Sequence, residues 1–189
     1  MSLKPQEGPT ARTAKAPIVI SVASLLVAMC SLFLTVDQAK LNRKDKRLSV
    51  RPEVEMAILF QEDWNGWVIA NNGLGPARVK WFEVTVDGVP KRDWLEVKAA
   101  LPLPQGEFSH SSPIPNTMVR SGTRGALFGF KGRYGAIDVL KRNAGRVKMT
   151  LCYCSLMDEC WISRTDAFAR ELDSCESAPP VQFALGDPI

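Results

Sequence analysis

Residues 17–36, from Pro17 to Val36, read PIVISVASLLVAMCSLFLTV. Between Ile18 and Val36 there is no formal charge, and the only polar side chains are Ser21, Ser24, Ser31 and Thr35. As a helix rising ~1.5 Å per residue the segment is roughly 28 Å long, close to the hydrocarbon thickness of a bilayer. A helix satisfies every backbone donor and acceptor within the segment, as lipid requires. The competing reading is a buried core helix, but a core helix of this length usually carries a polar face. The expectation is a transmembrane span. The run is longer than the ~7–15 apolar residues of a secretory signal, and Asp37 stands where cleavage needs a small residue. Val27-Ala28-Met29-Cys30 superficially resembles a lipoprotein cleavage site. Met29 replaces the small residue that such a site uses, and apolar sequence continues past Cys30. Cys30 reads instead as a small residue facing lipid or another helix. Ser24 and Ala28 form one small-xxx-small pair, which leaves a homo-oligomer open.

Outward from the span, residues 1–16 hold Pro5, Gly8 and Pro9 with few apolar side chains, and a disordered tail is expected. Residues 37–49, DQAKLNRKDKRLS, continue as a basic juxtamembrane helix. Leu34, Leu41 and Leu48 lie seven apart, a seam too short to define a coiled coil. Charge is uneven: residues 1–51 hold nine Lys and Arg against three Asp and Glu, while residues 52–189 hold fifteen against seventeen. The net positive charge therefore belongs to the membrane flanks, where Lys40, Arg43, Lys44, Lys46 and Arg47 suit anionic lipid head groups. A nearly neutral domain lacks the basic face that nucleic acid requires, so nucleic acid is not an expected partner.

From Val50 the period changes to two. Val50, Pro52, Val54, Met56, Ile58 and Phe60 alternate with polar or smaller neighbours, a half-buried strand with Pro52 at its edge. Residues 64–71, WNGWVIAN, read as the return strand. Asn72-Gly73-Leu74-Gly75-Pro76 is a turn cluster, residues 77–86 form the next strand, and Asp87-Gly88 closes a tight turn. The apolar parity switches between Trp81 and Phe82, which predicts a β-bulge there. Residues 93–101 space Trp94, Val97 and Leu101 for a short helix with Asp93 as N-cap. Four prolines make residues 102–117 a long loop. Two short strands around Gly122, a helical turn at 136–142, a strand near 146–156 and its return at 160–164 complete the pattern. Residues 50–175 are thus expected to form one domain, with an irregular tail at 176–189. Short alternating strands with little helix predict an antiparallel β-sandwich of immunoglobulin-like type, although the Cys…Trp…Cys spacing of true immunoglobulin domains is absent.

Three pieces together carry a resemblance: Arg47-Leu48-Ser49-Val50-Arg51-Pro52, Asn72-Gly73-Leu74-Gly75-Pro76-Ala77 leading to Val86-Asp87-Gly88, and Tyr153-Cys154-Ser155 before Glu159-Cys160-Trp161. The combination resembles a group of uncharacterised bacterial single-pass membrane-anchored proteins with a C-terminal immunoglobulin-like β-sandwich domain. The resemblance runs from the anchor to about residue 165. It implies architecture and no mechanism.

Four cysteines lie beyond the anchor. Cys152 and Cys154 share one strand face, and a hairpin through 155–159 brings Cys160 beside Cys154. Disulfides Cys154–Cys160 and Cys152–Cys175 are the leading pairing among three connectivities. Free thiols are a second reading, and a four-thiolate metal or redox site is a third. C-x-C-x5-C-x14-C lacks the paired knuckles of zinc modules, and no cofactor is expected. His110, the single histidine, sits in Ser109-His110-Ser111-Ser112. A triad with Ser111 is conceivable, but nothing resembles a nucleophile elbow. Glycines 122, 125, 129, 132 and 135 recur among basic residues without a phosphate-loop ending. Trp64, Trp67, Trp81, Trp94 and Trp161 read as core aromatics rather than a ligand groove.

Two arguments conflict over orientation. Six basic residues follow the span and three precede it, which favours a cytoplasmic domain. Lys15 abuts the span, however, and four cysteines favour an oxidising compartment. The expectation is an inner-membrane anchor with a periplasmic domain, the cytoplasm being the alternative. With no recognisable catalytic set, the expected role is a non-enzymatic, protein-binding or accessory subunit of an envelope complex. An envelope thiol or metal-binding protein is the competing class.

Overall fold

A computed structural model describes residues 15–102, 108–113, 115–131 and 135–183. It separates into two compact units, residues 1–46 and 47–189. Most of the expected N-terminal tail lies outside the described residues. The last two residues of that tail, Lys15 and Ala16, are helical instead, because the apolar helix begins before Pro17.

Helix α1 (Lys15–Ser49) is continuous through the span and the basic flank. From Pro17 it is long and apolar enough to cross a membrane, and none of its apolar window is buried within the chain. A soluble core helix would bury such a surface. Its hydroxyls are internally satisfied: Ser21, Ser24, Ser31 and Thr35 each donate to the carbonyl four residues earlier at 2.8 Å. That back-bonding satisfies the hydroxyl hydrogens within the helix itself.

The second unit is mainly antiparallel β. Its elements are β1 (Val54–Phe60), β2 (Trp64–Asn71), β3 (Ala77–Val86), β4 (Val89–Lys91), α2 (Trp94–Ala100), β5 (Phe108–His110), β6 (Met118–Val119), β7 (Arg124–Lys131), α3 (Gly135–Asn143), β8 (Val147–Cys154), β9 (Cys160–Arg164) and β10 (Ala167–Leu172). One sheet has the order β1-β2-β7-β5. The other runs β10-β9-β8-β3-β4, with β6 also pairing β3.

Local chemistry explains the elements. Asp87 and Gly88 both have positive φ, 52° and 78°, and Val86 faces Val89 across the turn, as a two-residue hairpin requires. The Asp93 carboxylate accepts from Glu96 N at 2.8 Å and caps α2. Apolar faces of both sheets meet in a core built around Trp67, Trp94, Phe82, Phe128, Leu151 and Tyr153. The Trp94 and Phe128 rings stack at 5.1 Å.

Four expectations change. The first strand begins at Val54 rather than Val50, because residues 50–53 are held by side chains and a turn instead of a ladder. The bulge in β3 falls between Val79 and Trp81, one step before the parity switch. The loop at 102–117 contains β5, whose Phe108 packs against the core and the Phe128 ring at 5.8 Å. The segment after Cys175 is irregular through residue 183, yet Phe183 is a core residue, edge-on to Trp94 at 4.8 Å. Strand β10 had no sequence signal, since nearly all its side chains are exposed.

Candidate functional site

Strand β1 positions the site. At its start the backbone N–H groups of Glu53 and Val54 both end on side chains of other strands. Asn71, fully buried at the end of β2, accepts from Glu53 N at 3.1 Å and Gly73 N at 3.0 Å. Its amide nitrogen donates to Gly75 O and Val119 O, both at 2.9 Å. One side chain thus joins the entry to β1, the 73–75 turn and β6. The glycines of that turn are sterically required: a Cβ at Gly75 would overlap the Val50 carbonyl, and one at Gly73 would overlap the backbone of residues 51–53. Val54 N donates to the buried Tyr153 hydroxyl at 3.2 Å. Burial pushes the Tyr153 phenol above its ordinary pKa.

That last bond also fixes orientation. Glu53 O accepts from Asn72 N at 2.8 Å, so the odd residues of β1 face β2. In an antiparallel ladder the even residues then face the other way. Met56 and Ile58 therefore direct their backbone N–H and C=O groups off the sheet edge, where they meet no hydrogen-bond partner among the described residues.

Beside that edge lie two adjoining clefts of about 410 and 440 Å³, walled by residues 53–58 and by the β9–β10 hairpin, the second also by Trp67 and residues 144–148. Met56, Thr165 and Asp166 line both, which makes them one groove. The hairpin wall is pinned: Thr165 N donates to Met149 O at 3.1 Å and Thr165 Oγ1 accepts from Met149 N at 3.2 Å. Asp166 pairs with Lys148 at 2.9 Å, and this hydrogen bond holds its carboxyl below the usual range. The β10 register slips between Ala167 and Arg170, a bulge that turns Phe168 wholly into solvent. Phe168 thus stands fully exposed beside the open edge of β1.

The expected site residues fall as follows. The structure joins Cys154 to Cys160, which face each other across β8 and β9 with Cα atoms 4.0 Å apart. It joins Cys152 to Cys175 with Cα atoms 5.9 Å apart. The two disulfides lie side by side: Cys154 Sγ and Cys175 Sγ are 3.8 Å apart. Cys30 is free and exposed on α1. Lys40, Arg43, Lys44 and Lys46 project from the exposed end of α1, while Arg47, in the second unit, reaches Glu159 at 3.2 Å. His110 stacks on Phe108 at 5.4 Å, and its Nδ1 has no hydrogen-bond partner among the described residues. Ser111 O and Ser112 Oγ instead accept from the Trp94 indole at 3.0 and 2.9 Å. Trp67 and Trp94 are interior, and Trp81 lies under Cys175, donating to its carbonyl at 3.1 Å.

Sequence reasoning missed the groove, because its hairpin wall carries no periodicity; Phe168 in a polar run was the available signal. The chain matches no protein-family model and no curated protein.

Proposed function

We propose that this chain is a non-enzymatic, membrane-anchored binding protein whose β domain takes an extended segment of a protein partner along the free edge of β1. The observation that carries the reading is the contrast among sheet edges. Strands β4 and β5 have three residues each, β6 has two, and β10 is bulged. Those are the ordinary ways of blunting an edge. Strand β1 has seven residues, a regular register and unpaired groups at Met56 and Ile58, inside a groove. A strand added there would gain main-chain hydrogen bonds and bury the apolar wall, with Phe168 beside it.

The strand order supports an immunoglobulin-like reading: β1-β2-β7-β5 against β4-β3-β8-β9 follows the ABED and C′CFG arrangement, with β10 as an addition. Two disulfides in one domain support an oxidising compartment, and we place the domain on the periplasmic face of a bacterial inner membrane. Labelling of thiols in intact cells by a membrane-impermeant reagent, with and without reductant, tests that placement. Labelling only after reductant agrees with it; labelling only after lysis overturns it.

The partner reading is tested in native membranes with a photo-crosslinking residue at position 168 and, as control, at the exposed Leu74. The expected result is an adduct from position 168 alone that Ile58→Pro abolishes, since proline removes the outward N–H without breaking the β1–β2 ladder. An adduct that survives Ile58→Pro, or equal adducts from both positions, overturns edge pairing.

A further inference from the structure

We propose that the two disulfides form a thiol–disulfide exchange pair, entered by a dithiol at Cys175, in which the two-electron-reduced protein carries a Cys154–Cys175 bond. The observations are accessibility and sulfur proximity. Cys152, Cys154 and Cys160 are buried, at 0%, 1% and 6% exposure, whereas Cys175 is partly exposed between the exposed Ser174 and Glu176. The Sγ atoms of Cys154, Cys160 and Cys175 all lie within 4.8 Å of one another, and Cys152 is bonded to Cys175. Two disulfides that served only as separate staples would not need to share one sulfur cluster.

A thiolate of the dithiol attacks Cys175 Sγ; the Cys152–Cys175 bond breaks, and Cys152 leaves as a thiolate and takes a proton. The second thiol of the reagent attacks the mixed disulfide, forming the reagent's own disulfide and releasing Cys175 as a thiolate. Two electrons have then passed from the dithiol to the protein. Freed from Cys152, the Cys175 side chain can swing about its Cα–Cβ bond into line with the Cys154–Cys160 bond. Its thiolate attacks Cys154 Sγ, and Cys160 leaves as a thiolate and takes a proton. This last exchange moves no net electrons. It keeps residue 175 tied to β8 while opening the β8–β9 cross-link, so the segment that carries Phe183 into the core stays anchored. Buried thiols with exposed entry at one sulfur are the arrangement in which attack is selective.

The test uses the full chain in detergent with Cys30→Ser, to remove the remote thiol. One equivalent of dithiothreitol is added without denaturant, the reaction is quenched with acid, free thiols are alkylated and the bonds are mapped by mass spectrometry. The expected two-electron product has Cys152 and Cys160 alkylated and Cys154 linked to Cys175. A product with Cys152 and Cys175 alkylated and Cys154–Cys160 intact overturns the proposal. A second variant, Cys160→Ser, needs no reductant. Its Cys154 thiolate should exchange with Cys152–Cys175 at a rate rising roughly tenfold from about pH 6 to 7, as the thiolate fraction does. Cys154 alkylated throughout that range, with Cys152–Cys175 unchanged, overturns it equally.

Discussion

Strand β1 has two halves that obey opposite rules. At its start, Glu53 N ends on the Asn71 carboxamide and Val54 N on the Tyr153 hydroxyl, so neither N–H there is left for an outside partner. Two residues on, Met56 and Ile58 present the same backbone chemistry to an open groove. Composition does not explain the difference, since large apolar side chains recur at every second position through both halves. What differs is the neighbour across the edge: buried side chains with matching polar atoms at one end, and a bulged hairpin at the other. Saturated backbone belongs to folding, and unsaturated backbone with exposed apolar surface beside it is what recognition uses.

The saturated half should break first and hardest. Asn71→Ala removes four hydrogen bonds and takes a buried partner from two N–H donors and two carbonyls. Each such group costs about 1–3 kcal/mol, and relaxation with water entry will recover part, so a loss of about 4 kcal/mol is expected. Denaturant unfolding of the detergent-solubilised chain, followed by tryptophan fluorescence, measures it; a loss under about 1 kcal/mol would mean the hub is ornamental. Gly75→Ala attacks the same joint sterically, forcing the turn off the Val50 carbonyl. Overpacking of that kind costs about 1–3 kcal/mol, and the same melt should place it below Asn71→Ala.

The saturated half was also the more legible one. Asn72-Gly73-Leu74-Gly75-Pro76 announces a tight turn through residue types that few other conformations prefer, and Asp87-Gly88 and the Asp93 cap do likewise. Period-two alternation located β1 and β8, whose burial alternates over at least their first half, whereas β2, buried on both faces, was read only as a return strand. The role of Asn71 itself was not legible: a polar residue closing an apolar strand looks like an exposed turn residue until its four partners, from residues 53 to 119, come together. Strand β10 was hidden for the opposite reason. With almost every side chain exposed, its pairing rests on backbone hydrogen bonds, which leave no mark on side-chain pattern. The core position of Phe183 depends on residues 82 and 94, far outside any local window.

Tyr153→Phe tests the point where the two halves meet. The variant keeps the ring stacked on Trp161 at 5.9 Å and removes only the acceptor for Val54 N. A loss of about 1–2 kcal/mol is expected. The pH dependence sharpens the assignment. Burial raises the Tyr153 pKa, so the folded state holds its proton where the unfolded state, near pKa 10, has released it. That contribution is complete below the unfolded pKa and is lost as pH rises through the folded value. Stability of the parent chain should fall on the alkaline side above about pH 10, and Tyr153→Phe should flatten that part of the profile. An identical alkaline slope in both proteins would remove Tyr153 from the account.

Phe168→Ser addresses the unsaturated half, and on stability it should do least of all. The side chain is fully exposed and belongs to a bulge, so nothing in the core depends on it. Surface changes of this kind stay within about 0.5 kcal/mol. If the phenyl ring anchors a partner strand, the same substitution should weaken capture at the groove by tenfold or more, since buried aromatic anchors carry about 2 kcal/mol or more of binding. The pairing of a silent melt with lost binding separates the two halves of β1 by experiment. A melt shifted by several kilocalories would place Phe168 among the folding residues after all. Unchanged binding would move the recognition surface away from β10 while leaving the free edge at Met56 and Ile58 to be tested by Ile58→Pro.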